Sequence, residues 1–211
     1  MRDGLIARIE ADGPIDVLVN NAGLLDTTSF PSMDAASIDA IIDVNLHAPI
    51  ELTRAALPAM LRRGSGKIVD ISSMAGTAAT PGTIVYSATK AGLTHFNAGL
   101  RAEVKGTGVT GLIVELGPVD TEMEANLHSF GPTHRAMERY KTLKLTKHLP
   151  TERVARSIVR AVQRDATYLR MPKRAVLFPV MAALPRQIAR VLLAGVDVKA
   201  STPDAPRPPA V

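Results

Sequence analysis

The sequence predicts an α/β fold in which a doubly wound parallel sheet is covered by helices. Hydrophobic residues make up 46% of the 211 residues but aromatic residues only 3%, so the apolar content is mainly Ala, Val, Leu and Ile. Such residues are typical of parallel strands that are buried on both faces. Short apolar runs also alternate with segments of helical periodicity, the pattern of strand–helix–strand units. A chain of this length is expected to form one domain with a substantial core.

The first half of the chain contains a short helix, a strand, a long helical segment and a second strand. An amphipathic helical pattern covers residues 5–12 and ends at a Gly-Pro pair. The apolar run 15–19 predicts a buried strand, and the run 67–71 predicts another. Between them, helical periodicity extends over residues 34–61, with a break expected between residues 32 and 39.

The second half repeats this alternation. Residues 86–104 are helical in period, and residues 109–114 form another apolar strand pattern. Residues 151–164 predict a capped helix, and residues 167–171 a last edge strand. Residues 1–171 are therefore expected to form the domain.

Two C-terminal segments differ in composition from the domain. Residues 172–200 form an apolar and basic extension, in which the stretch 175–194 is interrupted by prolines. This stretch is expected to pack on the domain or complete a dimer, with peripheral contact to a membrane surface as the alternative. No apolar run is long enough to span a bilayer. The Pro-rich tail 201–211 is expected to be disordered.

The spacing of three polar residues suggests that their side chains can act together. These residues are Ser73, Tyr86 and Lys90. Tyr86 and Lys90 are four residues apart at the start of a helix, so the ammonium can lie near the phenol. A nearby cation favours the phenolate and lowers a tyrosine pKa from its usual value of about 10. Ser73 follows a buried strand, and both hydroxyls can reach the crevice at the carboxyl end of a parallel sheet.

These three residues occur together with Asn20-Asn21-Ala22-Gly23 and Asn45 in the order typical of one family. On these motifs the chain resembles the short-chain dehydrogenases/reductases over about residues 5–165. The resemblance implies a Rossmann-like sheet and hydride transfer between NAD or NADP and a secondary alcohol or ketone. It also implies that the substrate pocket is formed by loops around residues 75–85 and 122–150, whose composition suggests a small apolar substrate. It also implies a homodimer or homotetramer.

The resemblance further implies roles for individual residues. Tyr86 is the expected general acid/base, Ser73 holds the substrate oxygen, Lys90 lowers the pKa of Tyr86, and Asn45 orders a water that links the lysine to solvent. The residues expected at the cofactor are Asn20, Ala22, Gly23, Tyr86, Lys90, Gly117, Val119 and Thr121. Leu116 stands where the family usually has proline, and Pro118 is an addition.

A fold of this kind is expected to open with a strand, a glycine-rich turn and a helix that binds the pyrophosphate. No such segment precedes Asn20. The expectation is therefore an N-terminally truncated sheet with an exposed apolar edge and an undetermined choice between NAD and NADP. The alternative function is a non-catalytic relative that binds or regulates a partner.

Other functions are less well supported by the sequence. The histidines show no metal-ligand spacing, and no Gly-x-Ser-x-Gly turn of a hydrolase occurs. The net charge of +5 comes with few aromatic residues for base stacking, so no nucleic-acid partner is expected. The basic residues within 122–150 indicate a solvated surface, or alternatively attraction of an anionic substrate or carrier. The absence of cysteine suits a cytoplasmic protein.

Overall fold

Four parallel strands form one sheet in the computed structural model, which describes residues 4–77, 80–123, 127, 130–143 and 146–172. The strands are β1 (Val17–Asn20), β2 (Gly66–Ser73), β3 (Val109–Leu116) and β4 (Tyr168–Met171). They are hydrogen-bonded in the order β1-β2-β3-β4. The described helices of eight or more residues are α1 (Leu5–Asp12), α2 (Ala35–Ile42), α3 (Ala48–Arg63), α4 (Ile84–Glu103), α5 (Gly131–Thr142) and α6 (Thr151–Gln163).

Helices cover both faces of the sheet, which confirms the predicted doubly wound α/β fold. On one face, Ile68 of β2 packs with Met60 of α3 and Leu100 of α4. On the other face, Val69 and Val114 pack with α6. Because side chains alternate along a strand, neighbouring apolar residues of β2 enter opposite cores. Burial of each such side chain contributes about 1.5–3 kcal/mol to folding.

The break predicted between residues 32 and 39 lies at Met33 and Asp34, which separate a single helical turn at Phe30–Ser32 from α2. Asp34 caps α2, since its carboxylate accepts a 2.8 Å hydrogen bond from the Ser37 backbone N–H. A second irregularity, which was not predicted, is a π-helical turn at Asp43–His47, between α2 and α3. This turn contains Asn45, whose side chain bonds both backbone groups of Leu24. Such turns are frequent at functional sites.

The start of α6 also differs from the prediction of a capped helix. Pro150 occupies the position before the first helical residue, and no side chain caps the helix there. The Thr151 hydroxyl donates instead to the Asp120 carbonyl at 2.9 Å. A proline fits this position because the first N–H groups of a helix have no partner within it.

The two edges of the described sheet are β1 and β4. β4 lies at an edge as predicted. β1 has only four residues, and Val17 and Val19 on it are 39% and 49% exposed, so the expected apolar edge is present but short. None of the described helices has the length and apolarity needed to cross a membrane. The predicted extension after Pro172 and the Pro-rich tail lie outside the described residues.

Candidate active site

A cavity of about 720 Å³ opens at the carboxyl ends of the parallel strands. Ser73 at the end of β2, Tyr86 and Lys90 at the start of α4, and the chain that follows β3 all line this cavity. Parallel strands bring their carboxyl ends to one edge of a sheet, where ligands of open α/β folds bind. The predicted members of the site that line the cavity are Ala22, Gly23, Ser73, Tyr86, Lys90, Gly117, Val119 and Thr121.

Ser73 is the last residue of β2, and the turn after it holds its hydroxyl in place. Ser73 Oγ accepts a 3.1 Å hydrogen bond from the Ala75 N–H and donates to the Leu116 carbonyl at 3.4 Å. Ser72, the neighbouring serine, has a different role, because its hydroxyl donates to the Lys90 carbonyl at 2.9 Å and thus joins β2 to α4. Both serines line the cavity, so the choice of Ser73 over Ser72 stays a prediction; the hydroxyl of Ser72 differs in being hydrogen-bonded to α4.

Tyr86 and Lys90 lie on one face of α4, as the spacing predicts. Lys90 Nζ is 5.7 Å from the centroid of the Tyr86 ring and donates a 2.8 Å hydrogen bond to the Ile71 carbonyl. The lysine is 4% exposed. Burial lowers the pKa of Lys90 to about 8, and the charge of Asp70 opposes part of that decrease. Lys90 in this buried position is thus a weaker base than an exposed lysine.

Asn45 lies behind the tyrosine and lysine and is almost fully buried. Asn45 Oδ1 accepts from the Leu24 N–H at 2.7 Å, and Nδ2 donates to the Leu24 carbonyl at 2.8 Å and to Thr89 Oγ1 at 3.2 Å. A Cβ on Gly23 would lie 3.4 Å from Asn45 Oδ1 and 3.5 Å from Lys90 Nζ. The backbone at Gly23 therefore lies close to the side chains of Asn45 and Lys90.

Asn20 is not brought into the cavity. Its side chain is buried beneath the sheet, where Nδ2 donates to Asp70 Oδ1 at 2.7 Å and to Thr53 Oγ1 at 3.3 Å. Asn20 is the last residue of β1, so alternation along the strand directs it to the α3 side. The next residue, Asn21, lines the cavity in its place. The Asn20 side chain thus joins β1 to β2 and α3, and the cofactor contact predicted for Asn20 stays a prediction.

The chain after β3 forms the opposite wall. The Gly117 N–H donates to the Met171 carbonyl at 2.8 Å, and a Cβ on Gly117 would lie 3.1 Å from Met74 Sδ and from Pro172 Cδ. The Thr121 hydroxyl donates to the Val119 carbonyl at 3.2 Å. Leu116, in the place of the family's proline, keeps an N–H and remains paired with Ser73 in the sheet.

Residues that the sequence analysis did not name individually complete the cavity. Thr80 and Thr83 line it next to Ser73 and Tyr86, and Tyr140 of α5 reaches it from the far side. Burial raises the pKa of Tyr140, and a side-chain hydrogen bond with Thr80 partly offsets this. The apolar lining from the chain beyond Thr121 is Met123, Leu127, Met137, Val154, Ala155 and Ile158. The 3.6-residue period of apolar residues in α5 and α6 indicates which face of each helix is buried. It does not indicate that these faces line this cavity.

The basic residues predicted as a possible anion surface are described only in part. Lys141 is exposed and forms an ion pair with Glu138 at 3.5 Å, and His148 lies 3.3 Å from Asp120. Lys144 lies outside the described residues. Among the residues that the structure describes, no group of His, Asp and Glu side chains is arranged to hold a metal ion.

Comparison with known proteins places this geometry in a family. A family model described as short chain dehydrogenase matches residues 3–130. The ketoacyl reductase HetN of Nostoc sp. (strain PCC 7120) is 45% identical over 120 residues, which cover 54% of this chain and 42% of that protein. A solved short-chain dehydrogenase from Streptomyces avermitilis has 30% identity and a TM-score of 0.72, covering 91% of this chain and 72% of that chain.

A second solved structure is a metagenomic short-chain oxidoreductase in complex with NADP. It is 35% identical, with a TM-score of 0.53, over 55% of this chain and 53% of that chain. The chain spans about half the length of the relatives that it matches in sequence. The family model nevertheless covers more than half of the chain, and the matched residues include the serine, the tyrosine and the lysine that line the cavity. The chain therefore belongs to the short-chain dehydrogenase family.

Proposed function

We propose that this chain carries the catalytic site of an NAD(P)-dependent oxidoreductase that interconverts a secondary alcohol and a ketone. One observation carries the proposal: Lys90, anchored on the Ile71 carbonyl, lies 5.7 Å from the Tyr86 ring at the wall of a cavity that also contains Ser73. The family membership and the NADP complex of a related oxidoreductase support the same chemistry.

The residues at the cavity fit the nicotinamide half of the cofactor. Gly23 and Gly117 present backbone without a side chain at the cavity wall, which lets a flat ring approach closely. Lys90 would bind the ribose, and the chain from Val119 to Thr121 would bind the carboxamide. When bound, the nicotinamide supplies or accepts the hydride at the substrate carbon.

The chain's own residues would handle the proton and the substrate oxygen. Tyr86 would donate a proton to that oxygen during reduction and remove it during oxidation, as a general acid/base. Ser73 would donate a hydrogen bond to the same oxygen and fix its position. The Lys90 ammonium would stabilise the Tyr86 phenolate. Asn45, held by Leu24 and Thr89, would order the water that connects Lys90 to solvent.

The lining of the cavity indicates the kind of substrate. Methionine, leucine, valine and isoleucine side chains from α5, α6 and the segment before α5 form most of the wall away from Ser73. Apolar walls with a few polar groups are typical of sites that bind a small apolar molecule in one orientation. A small apolar ketone or alcohol is therefore the proposed substrate class.

Titration of residues 1–211 with NADH and with NADPH tests the first step of this proposal. The chain contains no tryptophan, so the fluorescence of the reduced nicotinamide can be followed without tryptophan emission. Saturable binding is expected, followed by oxidation of the cofactor with members of a panel of apolar ketones. If neither cofactor binds, catalysis by this chain is contradicted, and a non-catalytic binding or regulatory role is favoured instead.

The Tyr86→Phe variant tests the residue assignment. It should bind the cofactor normally and lose about 10²–10⁴-fold in kcat, the range for a general acid/base. Tyr168→Phe is the matched control, because Tyr168 is bonded to Glu115 at the sheet edge and does not line the cavity. The assignment of Tyr86 fails if Tyr86→Phe retains the same turnover as the control variant.

A further inference from the structure

Two hydroxyl-bearing residues lie on the wall of the cavity at a place that the proposed catalytic set does not use. Thr80, in the loop before α4, and Tyr140, near the end of α5, both line the cavity and are 6% and 5% exposed. Their side chains are hydrogen-bonded to each other. Because the two residues belong to different elements, this pair forms only when the loop and α5 pack together.

The loop that carries Thr80 is held in one conformation by other contacts. The Thr83 hydroxyl donates to the Thr80 carbonyl at 2.9 Å, and the Thr83 N–H donates to the same carbonyl at 3.2 Å. From α5, the Thr133 hydroxyl donates to the Pro81 carbonyl at 2.7 Å. These contacts position Thr80 beside Tyr140 before any ligand enters, which lowers the cost of ordering the site when a ligand binds.

The pair can form a further hydrogen bond with a ligand. A bond between two hydroxyls uses one hydrogen and one lone pair, and a hydroxyl group can donate one hydrogen bond and accept two. Among the described lining residues beyond Tyr140, the hydroxyls are those of Thr146 and Thr151, and the Thr151 hydroxyl donates to the Asp120 carbonyl. The rest of the lining there is apolar, so a polar group of the substrate has few other partners on this side of the cavity.

The charges at the cavity indicate that such a polar group is neutral. Lys90 is the only acidic or basic side chain of the Asp, Glu, Lys, Arg or His type among the described residues that line the cavity. An ionised group of the substrate beside Thr80 would be buried without a counterion, which is strongly unfavourable. Burial also raises the pKa of Tyr140, so its phenol carries no charge at neutral pH and presents an O–H.

We propose that Thr80 and Tyr140 form a second polar subsite, which binds a neutral oxygen of the substrate away from the reacting carbonyl. The preferred substrate is then an apolar ketone or alcohol that carries a second hydroxyl or carbonyl group. The inference rests on the proposed function, in that Ser73 and Tyr86 are taken to bind the reacting oxygen. A substrate held at both oxygens is bound in one orientation.

The test measures the affinity of the full chain for pairs of ketone probes. Each pair is an aliphatic methyl ketone with and without a hydroxyl at its far end, in a series of increasing chain length. Binding is followed by NMR of methionines labelled at the ¹³C-methyl group, with and without NADPH, because Met123 and Met137 line the cavity. At the chain length that spans the two subsites, the hydroxyketone should bind about 3–10-fold more tightly, the effect of one neutral hydrogen bond.

Variants of the pair test which residues cause this preference. Tyr140→Phe and Thr80→Val each remove one hydroxyl and nearly keep the size of the side chain. Each should reduce the preference for the hydroxyketone, and the double variant should abolish it while it still binds the plain ketone. Thr142→Val is the matched control, because the Thr142 hydroxyl is bonded to the Glu138 carbonyl and does not line the cavity. It should keep the preference of the wild type.

Equal affinity of the wild type for both members of every pair would overturn the inference, and so would the failure of all probes to bind. A preference that the folded double variant retains, or that Thr142→Val loses to the same extent, would contradict it as well. If the variants do not fold, NOEs in the wild-type chain decide: the hydroxyl-bearing CH₂ of the probe must contact the Tyr140 ring. These readouts need no turnover, so their failure is distinct from that of the proposed function, which the NADPH titration and Tyr86→Phe test.

Discussion

Replacing Arg170 by methionine should strongly destabilise the fold, although Arg170 lies outside the proposed site. Glu115 on β3 and Arg170 on β4 stand side by side in the sheet, with their side chains 2% and 8% exposed. Glu115 Oε2 accepts hydrogen bonds from both Nε and Nη2 of Arg170 and a 2.6 Å bond from the Tyr168 hydroxyl. Methionine would fill much of the same volume but leave a buried carboxylate with the tyrosine alone.

Breaking a buried ion pair from one side costs about 3–5 kcal/mol, because the remaining charge stays buried without its partner. That is a large part of the ~5–15 kcal/mol that stabilises a typical domain. Chemical denaturation of the wild type and of Arg170→Met at pH 7 measures the difference in the free energy of unfolding.

Two controls separate this explanation from a simple loss of packing. The double variant Glu115→Gln/Arg170→Met removes both charges and should recover most of the lost stability. Arg54→Met breaks the pair with Glu51, whose arginine side chain is 72% exposed, and should cost ~0–1 kcal/mol. A cost below ~1 kcal/mol for Arg170→Met, or a double variant no more stable than the single one, would refute the reasoning.

Three further predictions concern the loop over the cavity, the lysine and the basic surface. Gly82 has a φ of +80°, and a Cβ there would lie 2.4 Å from Thr133 Oγ1. Gly82→Ala should therefore cost ~1–3 kcal/mol in chemical denaturation, whereas Gly99→Ala, with open space around it, should be neutral or stabilising. Burial lowers the pKa of Lys90 to about 8, so the unfolded chain holds that proton up to about pH 10.4 and the folded chain does not. Between about pH 8 and pH 10.4 the free energy of unfolding of the wild type should therefore rise by up to ~3 kcal/mol relative to that of a Lys90→Met variant. If the free energies of unfolding of the two proteins change with pH in the same way, this prediction is contradicted. Lys141 is exposed and paired with Glu138, so Lys141→Glu should leave the KM of an anionic substrate unchanged at low salt. A severalfold increase would instead support attraction of an anionic substrate.

Much of the fold and part of the site could be predicted from local sequence, because they depend on periodicity. The apolar runs of β2 and β3 indicate strands buried on both faces, and the described strands extend two residues beyond the predicted ends. The four-residue spacing of Tyr86 and Lys90 places both on one face of α4 wherever that helix packs. Ser73 could be predicted from its position at the end of a strand and from its distance to Tyr86 along the chain.

Contacts between distant segments were decided by the tertiary structure. Asn20 belongs to a motif that suggests a cofactor contact, yet strand alternation directs it to Asp70, fifty residues later. Asn45 lies in a π-helical turn, which the helix propensities of its residues do not predict. From there its side chain is hydrogen-bonded to the backbone of Leu24. The partner of Glu115 is fifty-five residues away on β4.

The sequence by itself determined which residue types reach the carboxyl edge of the sheet, because helix and strand periods are local properties. Which buried charge faces which partner was decided only when β2, α3 and α4 packed together. Asp70 shows the difference. In the sequence it is one acidic residue in an apolar run, and in the fold it lies between Asn20 and Asn97 beside the anchored Lys90. The energy of a buried charge depends on its surroundings in space, which neighbouring residues in the chain do not specify.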